Sequence, residues 1–168
     1  PFMSPNVSGL QLSDLEEIDR IAEIIHRSGV DLTQVKLEIT ETLMVENPTH
    51  AAEALKKLKA LGLSLAIDDF GTGYSSLSYL HMFPLDTLKI DRAFVNSMDD
   101  SESSRRIVHS IVGLASALEM NIVAEGIETE TQADALKALA CHYGQGYFFA
   151  KPQPAQSILE LIRAGKTW

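Results

Sequence analysis

Leu63-Ser64-Leu65-Ala66-Ile67-Asp68-Asp69-Phe70-Gly71-Thr72-Gly73-Tyr74-Ser75-Ser76 is the stretch on which the reading of the fold turns. Its first five residues are small or branched and mostly apolar, without clear alternation. That is the pattern of a strand buried on both faces of a parallel sheet. In such sheets function gathers at the carboxyl ends of the strands. Two adjacent carboxylates stand at that end, followed by glycines that give a loop backbone angles closed to other residues. Neighbouring carboxylates repel each other, and a divalent cation is the usual means of holding both ionised. The competing reading is that Asp69 caps a following helix. The rest of the chain decides between them.

Outward from this stretch, apolar runs alternate with helical patterns, the signature of repeated βα units. The patterning predicts strands at 2–7, 35–40, 63–68, 87–90, 122–125 and 146–149. Helices are expected at 15–27, 48–61, 104–119, 130–140 and 155–164, with a short helical turn at 76–80. In the helix at 48–61, Ala51, Ala54, Leu55, Leu58 and Leu61 recur at intervals of three and four and mark its buried face. The acidic segment 96–104 is expected to be a solvated loop. The fold class is α/β, a TIM-like (β/α) barrel. Six strands do not close an ordinary eight-stranded barrel, so the barrel is expected to be incomplete.

Composition narrows the function. The chain has 168 residues, the size of one domain, and 45% of them are hydrophobic, enough for a substantial core. With 23 acidic against 14 basic residues the net charge is -9, which repels a nucleic-acid polymer. A small phosphate ligand stays compatible, because bound cations reverse the local sign of an acidic site. Cys141 is the only cysteine, which suits a reducing compartment, and cytoplasmic localisation is the expectation. No apolar run is long enough to span a membrane, so no direct membrane contact is expected. The five histidines lack ligand spacing, which argues against zinc.

Charge recurs toward the carboxyl ends of the predicted strands. Glu38, the pair Asp68 and Asp69, Lys89 and Glu125 each stand at or near the end of one of four successive strands, and all would meet at one rim. A single charge there is easily a structural ion pair, whereas four strands in succession mark a site. Asn6, near the end of the first strand, adds an amide oxygen. An all-oxygen donor set favours Mg²⁺ or Mn²⁺ over zinc. Lys89 reads either as a counter-charge or as a group that orients water or steadies a transition-state phosphate.

The motifs Asp68-Asp69-Phe70-Gly71-Thr72-Gly73-Tyr74-Ser75-Ser76-Leu77, Leu88-Lys89-Ile90-Asp91, Ala124-Glu125-Gly126-Ile127-Glu128 and Gln145-Gly146-Tyr147, in this order, resemble the EAL-domain cyclic-di-GMP phosphodiesterases of bacteria. The likeness runs from Asn6-Val7-Ser8 to Lys151-Pro152. It implies a modified TIM barrel that uses two Mg²⁺ or Mn²⁺ ions to hydrolyse one phosphodiester bond of cyclic di-GMP, giving linear pGpG. By resemblance, Asn6, Glu38 and Asp68 hold one metal, and Asp68 bridges to a second held by Asp69 and Glu125. Lys89 positions the attacking water, Gln145 lines the pocket, and Glu41 supports the loop carrying Gly71 and Gly73. The catalytic set is then Lys89, Glu125 and Asp68. The resemblance also leaves room for sensor or GGDEF domains in the parent protein.

One feature departs from the pattern. The family's Glu-Ala-Leu strand supplies a further ligand of the first metal, but the only Glu-Ala-Leu here is Glu53-Ala54-Leu55, inside the amphipathic helix and without an arginine two residues on. By register Glu53 faces solvent. The expectation is therefore a partial EAL domain over 1–168, about the C-terminal two-thirds of one, with hydrolysis impaired. Open strand edges in such a fragment would favour a homodimer or other self-association. The alternative from another class is a non-catalytic receptor that binds cyclic di-GMP and relays the signal.

Overall fold

The computed structural model describes residues 3–12, 15–41, 48–72 and 80–165. Six strands run β1 (Asn6–Val7), β2 (Lys36–Thr40), β3 (Ser64–Phe70), β4 (Thr87–Ile90), β5 (Asn121–Ala124) and β6 (Tyr143–Gly144). They form one sheet in sequence order, with every neighbouring pair parallel. Helices are α1 (Gly9–Leu12), α2 (Leu15–Ser28), α3 (Pro48–Ala60), α4 (Arg92–Ser97), α5 (Glu102–Ala117), α6 (Glu130–Ala138) and α7 (Ala155–Arg163). This is the expected α/β barrel architecture, left open: among the described residues β1 and β6 each have a single sheet neighbour. The sheet nevertheless curls. Lys36 of β2 lies over the ring of Tyr143 on β6, with its Nζ 5.7 Å from the centroid.

Alternation along each strand separates two buried faces. Leu37, Ile39, Leu65, Ile67, Leu88, Ile90 and Ile122 are at most 1% exposed and form the apolar layer under the helices. On α3, Ala54, Leu55 and Leu58 are fully buried while Glu53 is exposed, so the Glu-Ala-Leu tripeptide is an outer-helix feature. Each buried leucine contributes about 1.5–3 kcal/mol of transfer free energy. The opposite, concave face carries Lys36, Glu38, Ala66, Asp68, Thr87 and Lys89, and it is polar toward the carboxyl ends of the strands.

Four expectations need correction. Leu61, expected on the buried face of the helix at 48–61, is 40% exposed, because α3 ends at Ala60 and the chain turns away at Gly62, which has φ 93°. The strand expected at 146–149 lies earlier, at Tyr143–Gly144, and 146–149 is a turn in which Phe149 N–H and Ala150 N–H both donate to Gly146 O. The cause is close packing, since a Cβ on Gly146 would stand 2.1 Å from Ile127 O. The chain bends there because only glycine lets the two backbones approach so closely. The loop expected at 96–104 is partly helical: Asn96 and Ser97 end α4, and Ser101 caps α5 by accepting from Ser104 N–H. The remaining helices agree within two residues at each end. The strand expected from residue 2 is short, with an isolated bridge from Met3 to Val35 before β1. Phe2, Gly73 and the helical turn at 76–79 lie outside the described residues. No helix among the described residues is long and apolar enough to cross a membrane.

Candidate metal centre

In a regular strand consecutive side chains point to opposite faces, so Asp68 and Asp69 should diverge. They do not, because β3 carries a bulge. Ile67 pairs with Leu88 and Phe70 with Ile90, which sets two β3 residues against Lys89 alone. Asp69 takes up the extra residue at φ 53°, a left-handed conformation that aspartate tolerates better than most side chains. The turn is fixed locally: Asp69 N–H donates to Asp68 Oδ1 at 3.0 Å, and Thr72 Oγ1 donates to Asp69 O at 2.9 Å. Both carboxylates thereby reach the same rim.

Glu125 meets them there. Oxygens of Asp68, Asp69 and Glu125 all lie within 4.8 Å of one another. Oxygen ligands sit about 2.0–2.6 Å from a Mg²⁺ or Ca²⁺ ion, so donors across one shell are about 4–5 Å apart. The trio therefore fits a single divalent cation. Lys89, 4% exposed, lies at the centre of the wider cluster. Its Nζ donates to Glu38 Oε2 at 2.6 Å, Asp68 Oδ1 at 2.8 Å and Glu125 Oε1 at 2.6 Å. Four carboxylates around one ammonium leave a large excess of negative charge, which is the electrostatic condition for holding cations.

Protonation follows from this crowding. Burial alone would lower the Lys89 pKa, but hydrogen bonds to Asp68, Glu125 and Glu38 outweigh it and raise the pKa, so the side chain is an ammonium at neutral pH. Burial raises the Glu125 carboxyl, and Lys89 offsets that only in part. The Asp69 carboxyl is also raised, by burial first, then by the Asp68 and Asp91 carboxylates. Both shifts are those of anions short of positive charge.

The other expected site residues fall around this centre. Asn6 is the register partner of Glu38 on the edge strand and is exposed. Glu41 is 4% exposed, and its Oε2 accepts from Gly71 N–H at 3.0 Å, so it holds the start of the loop that follows the aspartates. Gln145 lines a cleft of about 600 Å³ whose wall includes Asp69 and Glu125.

The family model for the EAL domain matches residues 1–152. The chain belongs to the EAL domain family. Among its relatives, the cyclic di-GMP phosphodiesterase NbdA of Pseudomonas aeruginosa is 39% identical over 147 residues, 88% of this chain and 19% of that protein. A solved structure of the MucR phosphodiesterase, a cyclic-di-GMP complex, superimposes with a TM-score of 0.89 at 37% identity, covering 94% of this chain and 64% of that one. Klebsiella pneumoniae BlrP1, solved with manganese and cyclic di-GMP, gives 0.82 at 32% identity over 90% of this chain and 39% of that one. The chain spans about a quarter or less of the length of the curated relatives it matches.

Sequence reasoning left part of the EAL cleft unassigned. Asp91 and Arg92 line it from the start of α4, Asn96 from near its end, and Glu128 and Tyr147 from the loops after β5 and β6. Asp91 caps α4 by accepting from Ala93 N–H at 2.7 Å. An aspartate before Arg92-Ala93-Phe94 was the available signal, but a helix of six residues is too short to show periodicity.

Proposed function

We propose that this EAL domain is the hydrolytic part of a metal-dependent cyclic-di-GMP phosphodiesterase that cleaves one phosphodiester of the substrate to give linear pGpG. The observation that carries this reading is the convergence of Glu38, Asp68, Asp69 and Glu125 on Lys89 beside an open cleft. Asn6, Glu38 and Asp68 would hold one Mg²⁺ or Mn²⁺, and Asp68, Asp69 and Glu125 a second, with Asp68 shared. When bound, the two cations supply Lewis acidity and screen the phosphodiester's charge. Lys89, held protonated, donates hydrogen bonds and does not act as the base; it orients water and opposes developing negative charge. Gln145 lies along the cleft wall and binds the nucleotide. Glu41 keeps the loop at Gly71 in place and stands apart from the metals.

The test is incubation with cyclic di-GMP and Mn²⁺, with the products separated by chromatography. Appearance of pGpG, lost in Asp68→Asn, supports the reading, and full turnover in Asp68→Asn sinks the bridging role. The other reading is a receptor that binds cyclic di-GMP without cleaving it. Binding without product would select that reading.

We infer as well that the chain self-associates. β1 and β6 each have one sheet neighbour among the described residues, and α7 leaves Leu159 and Ile162 exposed at 47% and 55%. A monomeric mass by light scattering would contradict this. The reading places the domain in the cytoplasm, beside sensor or GGDEF domains of its parent protein.

A further inference from the structure

Gln132 is 4% exposed, and its amide joins three segments. Oε1 accepts from Glu128 N–H at 2.8 Å and Thr129 N–H at 3.2 Å, and Gln132 N–H donates to Thr129 Oγ1 at 3.2 Å. These bonds make a capping box at the start of α6. The capping box leaves Nε2 unused. That nitrogen donates to Asp99 Oδ2 at 3.1 Å, across to the turn at 98–100 that joins α4 to α5.

The loop before α6 and the helix α4, which runs directly into that turn, form one wall of the cleft. Residues 125–129 contribute Glu125 and Glu128, and α4 contributes Arg92 and Asn96. They approach closely at Gly126, where a Cβ would stand 2.5 Å from Arg92 Cβ. The Gln132 to Asp99 bond ties them a second time, and it accounts for an amide rather than an acid at this position. A glutamate would serve the capping box equally well, but it would set a second carboxylate 3.1 Å from Asp99.

We propose that Gln132 is a positioning residue for the cleft: through Asp99 its amide clamps residues 125–129 to the α4–α5 turn, and so fixes Glu125 and Glu128 relative to Arg92 and Asn96. The inference rests on reading the cleft as the nucleotide site. Three variants of the full chain test it. Gln132→Glu keeps the capping oxygen and removes the donor. Gln132→Glu with Asp99→Asn restores a donor from the other side. Asp99→Ala, at an exposed position, removes the clamp alone and guards against a misfolded Gln132→Glu.

Affinity for cyclic di-GMP in Ca²⁺ is expected to fall about tenfold in Gln132→Glu and Asp99→Ala, and to return to within about threefold of wild type in the double variant. Exchange of the Glu128 amide, measured without ligand, is expected to quicken and recover in parallel. A lowered melting temperature with unchanged affinity would overturn the proposal and leave Gln132 a helix cap. A double variant as weak as Gln132→Glu would overturn it too. Wild-type protein that fails to bind cyclic di-GMP would refute the proposed function instead, and the exchange measurement would still decide the clamp: unchanged exchange in Asp99→Ala refutes it.

Discussion

Replacing Lys89 by methionine removes the one ammonium that Glu38, Asp68 and Glu125 share while keeping much of its volume. The side chains of these acids are 10%, 14% and 16% exposed, so water compensates little for the loss. Removing one partner of a buried ion pair costs about 3–5 kcal/mol, and partial water access points to about 3. Against a domain stability of about 5–15 kcal/mol this is large. With a urea dependence of about 2 kcal/mol per M, the midpoint falls by about 1.5 M. The assay is urea unfolding followed by circular dichroism at pH 7 in chelator.

The pH dependence has a definite sign. Lys89 holds the Glu125 carboxyl down against its burial, so in Lys89→Met that carboxyl rises further. A carboxyl raised in the folded state contributes stability that is present below its unfolded pKa, about 4.3, and lost as pH climbs through the folded value. The gap between variant and wild type is therefore widest at pH 7 and narrows toward pH 4. Mn²⁺ should stabilise the variant more than the wild type, since it replaces the missing charge. A midpoint within about 0.3 M of wild type at pH 7, or a gap that widens on acidification, would refute the electrostatic account of the site.

Asp69→Asn keeps a residue tolerant of the left-handed conformation but removes a carboxylate crowded by Asp68 and Asp91. Its melting temperature in chelator should equal or exceed wild type while calorimetric Mn²⁺ affinity drops about tenfold; lower stability in chelator would contradict this. Gly71→Ala meets φ 96° and would place a Cβ 2.9 Å from Phe94 Cε2. A loss of about 1–2 kcal/mol, read as a fall in melting temperature of about 2–8 °C, is expected, and an unchanged melting temperature counts against the strained loop. Burial raises the Cys141 thiol pKa, so alkylation by iodoacetamide at pH 8 should run about tenfold slower than for free cysteine. Equal rates would show the thiol to be accessible and ionised.

The barrel was legible because its strands are short apolar runs set between helices with clear periodicity, and because the charges stand near the strand ends. What the sequence hid was geometry made by tertiary approach. The bulge that turns Asp69 onto the rim depends on Lys89 of the next strand, so Asp68-Asp69 alone could not show whether the two side chains converge. The displaced last strand has the same origin: Tyr147, Phe148 and Phe149 have strand propensity, but Gly146 lies against Ile127 and forces a turn. Asp91 and Glu128 were visible within quoted motifs, and only the fold put them in the cleft beside Asp69 and Glu125.

The central claim is that the acids around Lys89 make a cation-dependent site for cyclic di-GMP. Calorimetric titration of cyclic di-GMP into the chain, once with Ca²⁺ and once with chelator, tests it most directly. Saturable binding in Ca²⁺ that disappears in chelator and in Asp68→Asn is the result the account predicts. Binding of equal strength in chelator, or none in Ca²⁺, would contradict it.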